Sequence, residues 1–579
     1  MNPRFAPFSK ASHNIRFTAD RHSEKNIRRF LIPVGVAFLF LVGFTRLFHL
    51  TIVKGSYYRY IAEDNRIKEI SLEGKAGTIR DRKNRTIVES ILTDDKEHLY
   101  QRTYFNGSAL GHVIGYRQTA SEDQLKHDAC SQPLELNDKV GIKGIEAIFE
   151  CHLRSTKGKK LVETDAHGKP IRTISQVEPK AGHDIKLSID SEMQQKAYDL
   201  IESNRIPSTE TLDLSKKKLS VVALDPNTGE VLMLLSYPSF NSQDFEDRTR
   251  KVTEYLKSED KPLFNRALLG TYPPGSVFKP VVALGALQEK VIDTDDIIQD
   301  NGFIKAGPLT FHNWFYLQYG KTDGPVDMKK AIQRSNDIYF YTIGEKLTPE
   351  KMKKWAGLFG FGKRTGIELD EATGSIPSPF WKDEALGEKW FTGDTYNFSI
   401  GQGYLLVTPL QIAHMTSAIA NGGKLCGPTI LKTGADENID LENRKSRCID
   451  MHIAEKNLKT VQDGMKAACE SGGTGWPFFD FRVKDSSGGN AQEKETTDET
   501  KESTGSAQIG TRRIEVGCKT GTAESQSRDH MPHAWFTIFA PFENPEIVVT
   551  VMVENAGEGS NVAAPIAKEI LKEYFSRTE

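Results

Sequence analysis

Residues 273–279 read Pro-Pro-Gly-Ser-Val-Phe-Lys. Pro-Pro-Gly is a stop-and-turn signal, and Val281, Val282, Leu284 and Leu287 behind it lie on one helical face. The spacing predicts a helix that opens near Ser276, with Pro280 tolerated because it falls in the first turn. Residues three apart share a helix face, so Lys279 Nζ is expected within reach of Ser276 Oγ. An unactivated serine is a poor nucleophile, and a neutral lysine at that distance can act as its base. The helix N-terminus favours the negative charge that develops there. Read alone, the motif is an exposed helix start in many chains, so its neighbours decide.

Residues 519–522 read Lys-Thr-Gly-Thr. They follow Arg513–Cys518, which reads as a strand. Ala534–Ala540 and Ile547–Val553 read as two more. Gly521 lets a substrate backbone approach closely, and Lys519, Thr520 and Thr522 could hold a carboxylate. Residues 335–337 read Ser-Asn-Asp. On a loop between helices, Ser335 could shuttle a proton and Asp337 could partner the lysine; an ordinary helix cap is the plain alternative. In this order, Ser-x-x-Lys, Ser-x-Asp and Lys-Thr-Gly are the motif set of the penicillin-recognising serine enzymes.

The chain resembles the class B penicillin-binding proteins over most of residues 42–579. The resemblance rests on Asn265-Arg266-Ala267, Tyr272-Pro-Pro-Gly-Ser276, Val222–Val231, Gly401-Gln402-Gly403 with Thr408-Pro409-Leu-Gln411, Gly472–Gly475 and Ala563-Ala564-Pro565. Upstream, Gly77–Arg82, His112–Tyr116 and Gly141–Glu146 resemble the family's membrane-proximal pedestal. The Ser-x-Asp triplet and the His-Val-Ile-Gly-Tyr element are most similar to the elongation type, penicillin-binding protein 2. The resemblance implies an α/β serine transpeptidase fold of the penicillin-binding/β-lactamase type. Its elements would be a five-stranded antiparallel sheet flanked by helices, an all-helical part, an extended α+β pedestal and one N-terminal transmembrane helix. Two departures stand out. Only about 30 residues separate Asp81-Arg82 from His112, so the outer head of the pedestal is small or lacking. The metal site of some elongation-type members has no clear ligand set, because His312 and Asp327 lie in the region without a cysteine partner.

At 579 residues the chain holds more than one domain. A net charge of −2 gives it no bulk affinity for nucleic acid. From Phe30 to Thr45 no residue is charged, and the apolar run resumes after Arg46 as far as Val53, about 24 residues and enough to span a bilayer. Arg46 near the outer end could snorkel to headgroups. Seven basic residues against Asp20 and Glu24 precede the run, which places the N-terminus in the cytoplasm. A cleaved signal peptide and a buried core helix are the alternatives. The expected division is a basic tail at 1–29, a membrane helix at 30–53, a pedestal at 54–183 and a transpeptidase domain at 184–579. Residues 485–508, rich in Ser, Gly, Thr, Glu and Lys, read as a disordered insertion. Of six cysteines, Cys130 with Cys151 and Cys426 with Cys448 are candidate local pairs in an oxidising compartment. Cys518 reads as a small buried apolar residue.

By resemblance, Ser276 attacks the carbonyl between two D-alanines of a peptidoglycan stem peptide and Lys279 takes its proton. Burial and the neighbouring Lys519 would lower the Lys279 pKa. Backbone N–H groups of Ser276 and Thr522 hold the oxyanion, Ser335 relays a proton to the leaving D-alanine, and Asp337 orders Lys279. Lys519, Thr520, Gly521 and Thr522 form the substrate side. No metal or organic cofactor is expected. Expected partners are stem peptides, β-lactams, the cell membrane and a SEDS-type (shape, elongation, division) glycosyltransferase. A β-lactamase, a D,D-carboxypeptidase and a non-catalytic sensor or scaffold are the rival readings.

Overall fold

A computed structural model describes residues 24–64, 66–94, 99–165, 167–207, 212–434, 448–484, 510–525 and 531–577. Most of the basic tail and the whole 485–508 insertion lie outside the described residues. The described chain forms two compact units, Met1–Leu72 with Gly158–Glu178 and Glu73–Lys157 with Pro179–Glu579. Residues 54–183 fall in both units, and Gly158–Thr164 pairs with Ile67–Leu72 as one antiparallel ladder within the first.

In the first unit, helix Glu24–Phe48 continues as a π-turn at His49–Val53. Its apolar stretch Phe30–Val53 is long enough to cross a bilayer, with a mean hydropathy of 2.1 and no buried share. The Thr45 and Thr51 hydroxyls donate to Leu41 O and Leu47 O, so neither is left unpaired in an apolar setting. Strand Pro170–Val177 completes a three-stranded sheet.

The second unit is built on five strands: β1 (Leu219–Leu224), β2 (Val231–Tyr237), β3 (Gly517–Ala523), β4 (His533–Ala540) and β5 (Ile547–Val553). Their order is β2-β1-β5-β4-β3, antiparallel throughout, so β3 is an edge. Both faces are covered, which is why these strands read as continuous apolar runs. The pleat divides their side chains. Trp535, Phe539, Val548 and Met552 face the helical part, whereas Phe536, Ile538, Val549 and Val551 face helices Ser191–Glu202 and Ala563–Phe575. On the first face the Thr416, Thr537 and Thr550 hydroxyls form a chain with 2.8 Å links, so these buried polar groups are satisfied.

The helical part is centred on α1 (Lys279–Gln288), α2 (Met328–Arg334), α3 (Asp337–Leu347), α4 (Pro409–Ala420) and α5 (Glu455–Ala468). Thr408 and Gln411 form a capping box on α4, which accounts for the Thr-Pro-x-Gln signature. The Asp81 carboxylate accepts from Lys83 N, Arg85 N and Ser191 Oγ, joining the Asp81-Arg82 element to helix Ser191–Glu202.

Helix α5 lies close against α2. A Cβ on Gly464 would sit 2.8 Å from Ile332 Cβ and 3.0 Å from its Cδ1. Ile332 is β-branched and stiff, so the clash outweighs the helix-propensity gain of about 1 kcal/mol. Gly464→Ala is expected to destabilise by about 1–2 kcal/mol, read as a melting temperature a few degrees lower. An unchanged or higher melting temperature would show that the two helices have slack between them.

Three disulfides are formed: Cys130–Cys151, Cys426–Cys448 and Cys469–Cys518. The third corrects the reading of Cys518. It is buried as expected, but it is bonded to the C-terminal cap of α5, 49 residues away in sequence, a distance at which spacing carries no signal.

Candidate active site

Ser276 lies on a 3-10 turn, Gly275–Phe278, and the α-helix begins only at Lys279. In a 3-10 turn residues i and i+3 eclipse. The turn is anchored by Val277 and Phe278, both fully buried, with Phe278 stacked on Phe398. Gly275 has φ +57° and its N–H donates to Gly401 O at 2.8 Å. A Cβ on Gly401, itself at φ +76°, would lie 2.2 Å from Gly275 O. Only glycine lets these two segments meet, which is the physical content of the Gly-Gln-Gly signature.

Behind Ser276 the three motifs converge. Lys279 Nζ donates to Ser335 O (2.7 Å), Ser335 Oγ (3.3 Å) and Asp337 Oδ1 (2.7 Å). Lys519 Nζ donates to Ser335 Oγ (2.8 Å) and Thr520 O (3.0 Å). Both ammonium groups are wholly buried. Burial pushes Lys279 below the usual lysine range, opposed by the Asp337 carboxylate. Burial pushes Lys519 much further down, and repulsion from Lys279 adds to it. Asp337 also accepts from Trp314 N through Oδ2 at 2.9 Å, so both its oxygens are committed.

Two expectations change here. Ser276 Oγ makes no side-chain hydrogen bond among the described residues, and the three Lys279 donors go to a carbonyl, a hydroxyl and a carboxylate instead. A buried ammonium takes the strongest acceptors available; catalytic contacts commonly tighten only when substrate binds. The charge repulsion expected to depress Lys279 falls chiefly on Lys519, because Lys279 holds the carboxylate.

Ser335 caps α2 with φ 53° and ψ 38°, a left-handed conformation that costs a non-glycine residue about 1–2 kcal/mol. That geometry turns its carbonyl and hydroxyl toward both lysines. Asn336 caps α3 through Oδ1, accepting from Tyr339 N. The Lys-Thr-Gly motif lies within β3 rather than after a strand, since Arg513 belongs to a separate short strand, Thr511–Arg513. Thr522 O lies 3.4 Å from Gln402 Nε2. A residue's N–H and C=O share one edge of an extended strand, so Thr522 N–H also faces the Ser276 side. Ser276, Ser335, Thr520, Gly521 and Thr522 line a cleft of about 760 Å³. Lys519 does not line it; its ammonium is buried against Ser335 Oγ, and the two threonines present the hydroxyls.

The metal ligand set does not fit. Among the described residues no group of three or more His, Cys, Asp or Glu side chains is placed to hold a metal ion. Asp300 accepts four N–H donors, from Gly302, Asn313, Asp323 and Asn336. Asp327 caps α2 through Lys330 N, and His312 stacks on Tyr316.

Sequence reasoning assigned no role to Thr474, Trp314, Asn313 or Arg334. Thr474 Oγ1 pairs with Thr520 Oγ1 at 2.8 Å. Its Gly-Gly-Thr-Gly setting was the available signal. The other three carry no motif.

A serine on a glycine-bounded turn, two buried lysines bridged by a second serine, and an edge strand beside them define a serine acyl-transfer site of the penicillin-recognising class. The sequence matches the family described as the penicillin binding protein transpeptidase domain over residues 219–572, and the penicillin-binding protein dimerisation domain over residues 93–187. This chain belongs to the penicillin-binding protein transpeptidase family. It is 29% identical to the peptidoglycan D,D-transpeptidase MrdA of Haemophilus influenzae, covering 96% of this chain and 93% of that one. It is 31% identical to the protein of the same name from Acinetobacter baumannii, covering 81% and 65%. Among solved structures, Pseudomonas aeruginosa PBP2 in complex with WCK 5153 is 29% identical with a TM-score of 0.68, covering 88% of this chain and 96% of that one. Helicobacter pylori PBP2 in complex with MreC is 26% identical with a TM-score of 0.69, covering 89% and 99%.

Proposed function

We propose that this protein is a peptidoglycan D,D-transpeptidase that cross-links stem peptides through an acyl-serine intermediate and is acylated by β-lactams. The observation that carries the reading is the buried Lys279–Ser335–Lys519 bridge directly behind the cleft that holds Ser276. Ser276 Oγ attacks the carbonyl carbon of the penultimate D-alanine, and Lys279 accepts the Oγ proton. The N–H groups of Ser276 and Thr522 hold the oxyanion. The C–N bond then breaks, and the proton that Lys279 took passes through Ser335 to the leaving D-alanine amine. An amine of a second stem peptide attacks the ester, a new amide forms, and Ser276 Oγ regains its proton. Thr520 and Thr522 receive the substrate carboxylate, with Lys519 buried against Ser335 beside them. Asp337 keeps Lys279 oriented. These steps need no cofactor.

The apolar stretch Phe30–Val53 serves as an uncleaved anchor. The basic residues before it favour a cytoplasmic N-terminus, which places the pedestal at 54–183 and the transpeptidase domain at 184–579 outside. A SEDS-type glycosyltransferase is the partner this arrangement suits, supported by a 26% identical neighbour (TM-score 0.72) from a peptidoglycan synthase complex.

Product analysis tests the reaction. Given a D-Ala-D-Ala stem peptide and an amine-bearing acceptor peptide, the purified full chain should release D-alanine and form the cross-linked amide. Release with water as the sole acceptor would mark a carboxypeptidase. Rapid turnover of penicillin would mark a β-lactamase.

A further inference from the structure

We propose that Arg334 is a positioning residue for acyl transfer, a cationic clamp that ties together the segments carrying the reacting groups; this rests on the acyl-serine reading above. Its Nε donates to Asp323 Oδ1 at 3.0 Å and its Nη1 to Gly472 O at 2.9 Å. The guanidinium lies over Phe315, 4.6 Å from the ring centroid, and beside Trp314 at 5.8 Å. Its own carbonyl accepts from Trp314 Nε1 at 3.0 Å.

Each contact leads to the active site by one further step. Ser335, the next residue, holds both lysines from a left-handed conformation that its own preferences oppose. Trp314 N holds the second oxygen of Asp337. Gly472 opens the loop whose Thr474 pairs with Thr520 on the substrate strand. The anionic half of the clamp is buried: Asp323 and Asp300 share the Asn336 amide, at 3.0 and 2.9 Å. Arg334 is the side chain that neutralises Asp323 here. A cation is needed at this spot to set two carboxylates against one amide. The chain supplies it as a guanidinium, whose planar fork reaches Asp323 and Gly472 through separate nitrogens while its face lies over Phe315, a geometry a single ammonium nitrogen does not reproduce.

The test uses the full chain with Arg334→Ala and Arg334→Lys, and fluorescent penicillin as the probe. The second-order acylation rate of Arg334→Ala should fall about 10- to 100-fold, and millimolar ethylguanidinium should restore at least part of it. Arg334→Lys, which keeps the charge and guards against misfolding of the alanine variant, should remain about 5-fold slower or worse. Hydrogen exchange reads the clamp without any activity: residues 335–339 and 472–476 should both lose protection in the variants. Lysine acylating at the parent rate, a loss in alanine that ethylguanidinium does not touch, or faster exchange in only one segment would each overturn the clamp. Failure of the parent protein to acylate would instead overturn the acyl-serine reading, with the exchange result still judging the clamp.

Discussion

Ser276→Ala is expected to abolish the covalent penicillin adduct while leaving the fold intact. The nucleophile is the sole atom lost, and the turn that carries it is held by other groups: buried Val277 and Phe278, and the Gly275–Gly401 hydrogen bond. Ser276 Oγ anchors nothing among the described residues, so its removal should leave melting temperature nearly unchanged. Mass spectrometry of the intact chain after incubation with penicillin should find a stable adduct on the parent, mapped to the peptide containing Ser276, and none on the variant. An adduct persisting on the variant would move the nucleophile elsewhere. A large loss of stability would mean that the hydroxyl supports the turn.

Lys279→Ala should lower the acylation rate by about 10²- to 10⁴-fold, the range for loss of a positioned general base. The pH dependence follows from the same geometry. Burial lowers the Lys279 pKa, so the neutral, proton-accepting form becomes populated at a pH below the ordinary lysine value of 10.5. Acylation should therefore rise with pH along a limb lying under that value. Asp337 acts in the opposite direction, favouring the ammonium. Asp337→Asn removes that influence, the lysine pKa falls further, and the limb should move to lower pH. Measured as acylation rate against pH, a limb that moves upward in Asp337→Asn would contradict Lys279 as the base. Near-parental acylation by Lys279→Ala would do the same.

Much of the site was legible because its chemistry is carried by short contiguous motifs. Ser-x-x-Lys needs one turn of helix to bring its two residues to one face, and the apolar residues after it announce that helix. The strands β4 and β5 were legible because a sheet buried on both faces leaves unbroken apolar runs. The Lys-Thr-Gly strand was misplaced for the complementary reason. Its small and polar residues carry no period, and only pairing with β4 makes Gly517–Ala523 one strand. The pairing of Gly158–Thr164 back to Ile67–Leu72 was not legible, because nothing local signals it.

The sequence by itself determined the membrane-length apolar helix and the three short motifs, since each depends on composition or spacing within a few turns of chain; the class of sheet came from the family resemblance those motifs carry. Tertiary structure alone decided how those pieces act on one another. It brings Lys519 to Ser335 across 184 residues and bonds Cys469 to Cys518. It also holds Ser335 in a conformation its own preferences oppose. These are non-local contacts, set by burying two lysines and three carboxylates where each must find a partner, and pattern along the chain carries no record of which partner that will be.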